Sequence, residues 1–293
     1  MSQKIDQMVT DRIIAELEKG VIPWRRPWTN HAAVNWVTQK PYQGINILLL
    51  PGSGEYATFN QVKEAGGYVK KGEKGSLIVF YKKLTGKNDS TKEEDEEDME
   101  ETKTRWYKQY SIVFDINTQC EGLESRRKEE HFHHDPITEA EAIVKGYAGC
   151  PPILYASGRA VYSPSKDRIS VPPLEDYAKP EEYYSTLFHE MIHSTGHKTR
   201  LNRPGITLGA KFGSEVYAKE ELIAEIGAAM LCAECGIDNQ TIENSASYIG
   251  GWLRRLKNDP TLITQAAKLA TRGAKFIRGM TTEKENPEEE PAA

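Results

Sequence analysis

YYSTLFHEMIHSTGH, residues 183–197, decides the reading of this 293-residue chain. Tyr184, Leu187, Met191 and Ile192 recur at helical spacing and make one side apolar, so the stretch from Pro180 predicts an amphipathic helix. His189 and His193 stand four apart within it. Side chains at i and i+4 share a helix face, so both imidazoles can reach one cation, with Glu190 beside a water on that cation. Zinc takes nitrogen, sulfur or carboxylate ligands, and a catalytic site supplies three from the protein and leaves one position open. The pattern of two histidines and one glutamate sends the search downstream, to AKEELIAEIGAAMLCAECG (218–236). There Glu221 is the favoured third ligand, with Glu225 behind it holding a histidine ring N–H. Glu225 as the ligand itself is the main alternative, and Glu220 ranks lower.

The bland alternative is an ordinary surface helix carrying two histidines. Three features of context weigh against it. The helix is amphipathic, RAVYSP (159–164) and DRISVP (167–172) read as a hairpin just before it, and unpaired acids on an apolar helix are costly unless something binds them. His197 does not complete the longer HExxHxxGxxH pattern, whose last position is Thr199, so it is placed at the rim or behind the ligands. The expected chemistry is metal-assisted amide hydrolysis, with the ion lowering the pKa of its water toward ~7 and Glu190 as general base. Tyr162, Tyr183, Tyr217 and His197 are the candidates to stabilise the oxyanion. Cys232 and Cys235 read as small apolar residues on a buried helix, since Cys120 and Cys150 are too scattered to complete a second site. His131, His133 and His134 sit in a polar, exposed stretch.

Outside this region the chain has the composition of a soluble protein, 38% hydrophobic and 28% charged. The longest apolar run, INILLL from Ile45 to Leu50, is far short of a membrane span, and the charged first turns are not those of a secretory signal. Four cysteines in no framework spacing favour a reducing, cytoplasmic setting. The formal charge of −5 is unevenly spread: residues 86–101 carry −7 and the tail 281–293 carries −4, which leaves +6 for the remainder. Both acidic stretches read as solvated, so the overall acidity does not exclude a nucleic-acid partner.

The first half reads as a small α/β unit. Ile5, Val9, Ile13 and Leu17 predict a helix over 2–19, TFNQVKEAGG (58–67) a short capped helix, and SLIVFY with RWYKQYSIVFDI a hairpin around the acidic stretch. Single strands are bound by aromatic faces that stack bases and cations that track phosphates. PWRRPW (23–28) offers both. The candidate nucleic-acid residues are Trp24, Arg25, Arg26, Trp28, Tyr42, Asn46, Lys63, Lys71 and Lys74, whereas Phe59, Phe80 and Trp106 read as core.

The chain resembles the ArdC-type antirestriction proteins of conjugative plasmids over essentially its full length. PWRRPW (23–28), KPYQGINILLL (40–50) and TFNQVKEAGGYVKKGEKG (58–75) carry the resemblance in the first half. VYSPSKDRISVPP (161–173), YYSTLFHEMIHSTGHKTRLNR (183–203) and YAKEELIAEIGAAMLCAE (217–234) carry it in the second. The resemblance implies an N-terminal domain that binds single-stranded DNA, a C-terminal zincin-like metallopeptidase domain, and a role in helping plasmid DNA escape host restriction. The expectation is therefore a two-domain α+β protein. Residues 1–125 would bind single-stranded DNA, with a disordered acidic loop at 86–103. Residues 126–136 would be a linker, 137–280 a mainly helical zincin-like domain with a short β-sheet, and 281–293 an acidic disordered tail. The expected cofactor is Zn2+ or another divalent metal such as Mn2+. The expected partners are single-stranded DNA and a host restriction subunit, without a membrane. The rival readings are a non-catalytic strand-coating protein with a structural metal site, and a DNA-tethered metalloprotease acting on DNA-bound proteins.

Overall fold

The computed structural model describes residues 2–19, 21–23, 33–52, 54–84, 105–127, 136–156, 160–209, 214–237 and 246–280. PWRRPW beyond Pro23, the acidic loop, the histidines at 131–134 and the tail lie outside the described residues. Helix α1 (Ser2–Glu18) follows the expected four-residue repeat, and Ile5, Val9, Ile13 and Leu17 are all buried. Each such side chain contributes about 1.5–3 kcal/mol on burial. There follow β1 (Val34–Asn35), α2 (Ile45–Leu49), β2 (Glu55–Thr58) and α3 (Phe59–Glu64). Thr58 caps α3 in a capping box with Gln61, so the TxxQ spacing sets where strand gives way to helix. After β3 (Tyr68–Val69), the chain forms β4 (Ser76–Leu84) and β5 (Arg105–Asp115), then β6 (Cys120–Glu121).

The first sheet has the order β1-β2-β5-β4. β4 and β5 are the expected hairpin, antiparallel in register from Ser76 opposite Val113 to Leu84 opposite Arg105. β1 joins β2 in parallel, and β3 pairs with β6 as a separate ribbon. INILLL supplies α2, and Leu48, Leu49 and Leu50 are buried.

The second half begins with α4 (Pro136–Gly146) and a three-stranded sheet, β7 (Ile153–Tyr155), β8 (Val161–Ser163) and β9 (Arg168–Val171). The order is β7-β9-β8, with β8 antiparallel and β7 parallel to β9, which leaves β8 on an edge. Helices α5 (Pro180–Thr195), α6 (Pro204–Thr207), α7 (Glu215–Cys235), α8 (Ala246–Asn258) and α9 (Leu262–Ile277) complete the fold. The chain is thus an α+β protein with a mixed sheet in its N-terminal part and a mainly helical C-terminal part holding a small sheet.

The largest apolar core runs across both parts. Ile5, Val9, Ile13, Leu49 and Val79 belong to the same cluster as Leu187, Ile192, Leu222, Ile263 and Ala270. Polar ties follow the same line. Buried Asp6 accepts hydrogen bonds from Lys108 Nζ at 2.6 Å and Thr264 Oγ1 at 2.8 Å, and Thr10 Oγ1 donates to the Pro260 carbonyl at 2.6 Å. Buried Glu55 accepts from Gln39 Nε2 at 2.8 Å and from the Arg126 backbone N–H at 3.1 Å, which fastens the chain leaving β6 to the first sheet.

Candidate metal centre

Pro180 at the start of α5 and the acids Glu181 and Glu182 in its first turn are the residues a helix N-terminus favours. The helix then buries Tyr184, Leu187, Phe188, Met191 and Ile192, and this fixes its rotation. α7 starts at Ser214, whose side chain accepts from the Tyr217 backbone N–H, and ends at Gly236 in the left-handed region. The two helices approach closely at Gly227. A Cβ there would lie 2.7 Å from Ile192 Cδ1 and 2.8 Å from its Cγ1. That closeness brings Glu221 to the histidines.

The ligand atoms of His189, His193 and Glu221 all lie within 4.8 Å of one another, the only such group of three among the described residues. The two Nε2 atoms are 3.1 Å apart. His189 Nε2 is 3.7 Å from Glu221 Oε2, and His193 Nε2 is 3.6 Å from Glu221 Oε1. A tetrahedral ion at its usual bond lengths sets its donors about 3.3–3.6 Å apart, so the triangle has the size of such a site. Two imidazole nitrogens and a carboxylate oxygen are also the donor types that such an ion takes. The residues present fit a divalent transition metal.

The electrostatics point the same way. Burial opposes the charge on Glu221, but hydrogen bonds from His189 and Tyr217 and the nearby histidine charges outweigh it and hold the carboxyl down at about 2. Burial likewise opposes charge on His189, and there the hydrogen bond to Glu221 with the charges of Glu190, Glu221 and Glu225 prevails and raises its pKa. Glu190 is buried, and its Oε2 accepts from the Tyr162 backbone N–H at 2.6 Å. Edge strand β8 therefore fixes the acid next to the two histidines.

The remaining expected residues fall into place unevenly. The acid on the outer nitrogen of His193 is Glu220, the lower-ranked of the three: its Oε1 is 3.3 Å from Nδ1. Glu220 and Glu225 lie on different sides of α7, and the far edge of the His193 ring faces Glu220. Glu225 is buried and acts on His189 through its charge. His197 bonds Thr199 Oγ1 at 2.8 Å and stands 3.7 Å from Asp167. Among the tyrosines, Tyr162 Oη donates to Asp167 at 2.7 Å, and Tyr183 is paired with Tyr155. Tyr217 is the one that bonds a residue of the triangle. Arg203, Asp167 and Arg200 were not anticipated. Three acids on an apolar helix against two histidines were the available sign that a buried cation was still missing.

In the first half, Tyr42 and Asn46 do not offer a binding surface. Tyr42 is buried with Tyr56, Ile78 and Val113, and Asn46 is buried with its amide bonded at both ends to Val79, 2.7 Å to the carbonyl and 2.7 Å from the N–H. Lys63, Lys71 and Lys74 are exposed around α3 and the β3–β4 turn. Phe59, expected in the core, is 57% exposed, because α3 turns its Val62 rather than Phe59 inward. Tyr68, Tyr81 and Tyr110 are exposed as well.

Two family models cover most of the chain. Residues 3–114 match the N-terminal domain of the anti-restriction factor ArdC, and residues 139–269 match a zincin-like metallopeptidase. Two crystal structures of the antirestriction ArdC protein from plasmid R388 share 34% identity and a TM-score of 0.70 with this chain. The metal-free one aligns over 94% of this chain and 97% of its own, the Mn(II)-bound one over 96% and 99%. A Sinorhizobium fredii protein, y4eC, is 30% identical over 99% of this chain and 96% of its own length. An Escherichia coli DNA primase, TraC, is 32% identical over 89% of this chain, which spans only 19% of the primase. No described helix is long and apolar enough to cross a membrane.

Proposed function

Because the chain belongs to the ArdC family of antirestriction proteins, we propose that it binds incoming plasmid DNA as a single strand, protects it from host restriction, and carries a metal-dependent peptidase site. His189, His193 and Glu221 would hold the ion, zinc or manganese, and Glu190 would be the general base. The observation that carries the reading is the donor triangle of 3.1, 3.6 and 3.7 Å, sized for one ion.

A bound ion of this kind supplies Lewis acidity, which makes water a nucleophile near neutral pH and polarises an amide carbonyl. The protein's own groups do the rest. The Tyr162 N–H occupies Glu190 Oε2, so the carboxylate is oriented with Oε1 left to take a proton. Tyr217, bonded to Glu221, is the hydroxyl proposed to stabilise the developing oxyanion. Lys63, Lys71 and Lys74 support strand binding by the N-terminal part, with Trp24, Arg25, Arg26 and Trp28 as further candidates. A protein subunit of the host restriction system is the proposed peptide substrate.

Glu190→Gln separates the roles. It should keep metal uptake and oligonucleotide affinity, abolish cleavage of a casein-type test substrate, and lower antirestriction in a mating assay. Full antirestriction in that variant would refute the peptidase part and leave a strand-coating protein.

A further inference from the structure

We propose that Glu220 and Arg203 form the positioning pair of the metal centre, with Glu220 fixing the His193 ring so that Nε2 faces the ion and Arg203 holding Glu220 in place. The inference rests on the reading of His189, His193 and Glu221 as ligands and adds two residues outside that set.

Imidazole can present either nitrogen, and a ligand histidine is set by what its other nitrogen bonds. For His193 that partner is Glu220 Oε1, 3.3 Å from Nδ1. A carboxylate accepts and never donates, so it selects the form with the proton on Nδ1 and the lone pair on Nε2. Glu220 is itself pinned. Arg203 Nε lies 3.0 Å from Oε2 and 3.2 Å from Oε1, and Nη2 also donates to Oε1.

The guanidinium has further partners on the helix that bears the histidines. Nη1 donates to Thr195 Oγ1 at 2.6 Å, and Nη2 donates to the Ile192 carbonyl at 2.8 Å. Arg203 therefore bridges the last turn of α5 to the first turns of α7, the two helices that carry the donors. Both ends are sealed: the side chains of Arg203 and Glu220 are 4% and 5% exposed. The backbone is shaped around them as well. A Cβ at Gly205 would come within 2.8 Å of Glu220 Cβ and 2.9 Å of its Oε2, so only glycine lets α6 pass this close. A plain helix–helix staple would use the same ion pair but would not place a third contact on His193 Nδ1.

The two roles separate by measuring metal affinity per folded molecule. Mn(II) and Zn(II) would be titrated calorimetrically into the full chain as wild type, His193→Ala, Glu220→Ala, Glu220→Gln and Arg203→Met, with circular dichroism confirming the folded fraction. In parallel, 15N-histidine correlation spectra of the metal-free protein would report which His193 nitrogen carries the proton. Expected is a 10–100-fold loss of affinity in Glu220→Ala and Arg203→Met. Glu220→Gln, whose amide oxygen can still accept from Nδ1, should recover part of the loss, and the Nδ1–H form should give way to a mixture in Glu220→Ala. If Glu220→Ala does not fold, the Gln variant and the spectra carry the test. Wild-type affinity with an unchanged His193 spectrum in the Glu220 variants would overturn the positioning role while the ligand set stands. Wild-type protein that takes up no metal, or His193→Ala that binds as well as wild type, would overturn the ligand set and this inference with it.

Discussion

Gly227→Ala tests whether close approach of two helices builds the metal centre. The new Cβ would sit 2.7, 2.8 and 3.1 Å from Cδ1, Cγ1 and Cγ2 of Ile192. Carbon atoms rest about 3.5–4.0 Å apart, so a retreat of about 1 Å is required. Ile192 cannot swing away: it is buried and already faces α9, where a Cβ at Gly273 would be 3.4 Å from its Cδ1. The helix itself must move, and Ile192 is next to His193. A shift of that size stretches the 3.6 Å separation of His193 Nε2 and Glu221 Oε1 beyond what one ion spans. Overpacking of this kind costs about 1–3 kcal/mol, or a fall in Tm of about 2–12 °C for a chain of this size. Mn(II) affinity should fall by about tenfold or more. Calorimetry of unfolding and of metal binding reads both effects. The contact is checked by adding Ile192→Ala, which costs about 2–5 kcal/mol alone but should cost less than the sum when combined with Gly227→Ala. Wild-type Tm and affinity in Gly227→Ala, or strict additivity in the pair, would refute the reasoning.

Four further outcomes are expected. Asn46→Leu, which removes both bonds to the Val79 backbone, should cost about 1–3 kcal/mol in urea unfolding and leave oligonucleotide affinity intact, whereas Lys71→Glu with Lys74→Glu should weaken binding and reduce its salt slope by about 0.7 for each phosphate that is no longer neutralised. Asp6→Ala leaves the largely covered Lys108 without its carboxylate and frees Thr264, so it should cost up to about 3 kcal/mol in chemical unfolding, and a change under about 0.5 kcal/mol would be inconsistent with a buried tie. The hydrogen bond from Arg200, with one from Tyr162, holds the Asp167 carboxyl below the usual range although partial burial opposes it. Its stabilisation is therefore present above the ordinary carboxylate value and lost as pH falls through the lowered one. Asp167→Asn should flatten the decline of Tm below about pH 4, and parallel curves would count against it.

The helices were legible because burial on one side leaves a period. Ile5, Val9, Ile13 and Leu17 in α1, and Tyr184, Leu187, Met191 and Ile192 in α5, give themselves away by spacing. β7 was not legible: three residues, ILY, hold no period, and its parallel partner β9 lies beyond β8 in the sequence order. INILLL could not be placed by spacing either, since a short run broken only by Asn46 suits a buried strand and a short buried helix equally. At the metal centre, His189, His193 and Glu221 followed from ligand chemistry and i, i+4 geometry. Glu225 was assigned to the histidine ring by extending that geometry one turn along α7. For His193 the other nitrogen, Nδ1, meets a different acid. It faces away from the ion, and the acid that meets it is the neighbour of the ligand, turned about 100° around the helix. Arg203 was invisible to any periodic argument because it comes from a loop.

The expected linker at 126–136 separates two stretches of sequence, but the packing does not divide there. α9 lies against the last turn of α5, where a Cβ at Gly273 would be 3.1 Å from Thr195 Oγ1. Thr195 is the residue that Arg203 bonds. The other end of α9 is bound through Thr264 to Asp6 of α1, and Asp6 in turn binds Lys108 in the first sheet. One rigid helix thus touches both the support of the donor group and the sheet of the N-terminal part. Removing residues 1–19 would strip Ile5, Val9, Ile13 and Leu17 from the shared core and leave the α8 and α9 faces they cover in water. The metal centre should therefore lose stability when α1 is deleted, although α1 supplies none of its donors. Whatever the first half binds, its sheet cannot shift relative to α1 without straining the Asp6 contacts that reach α9.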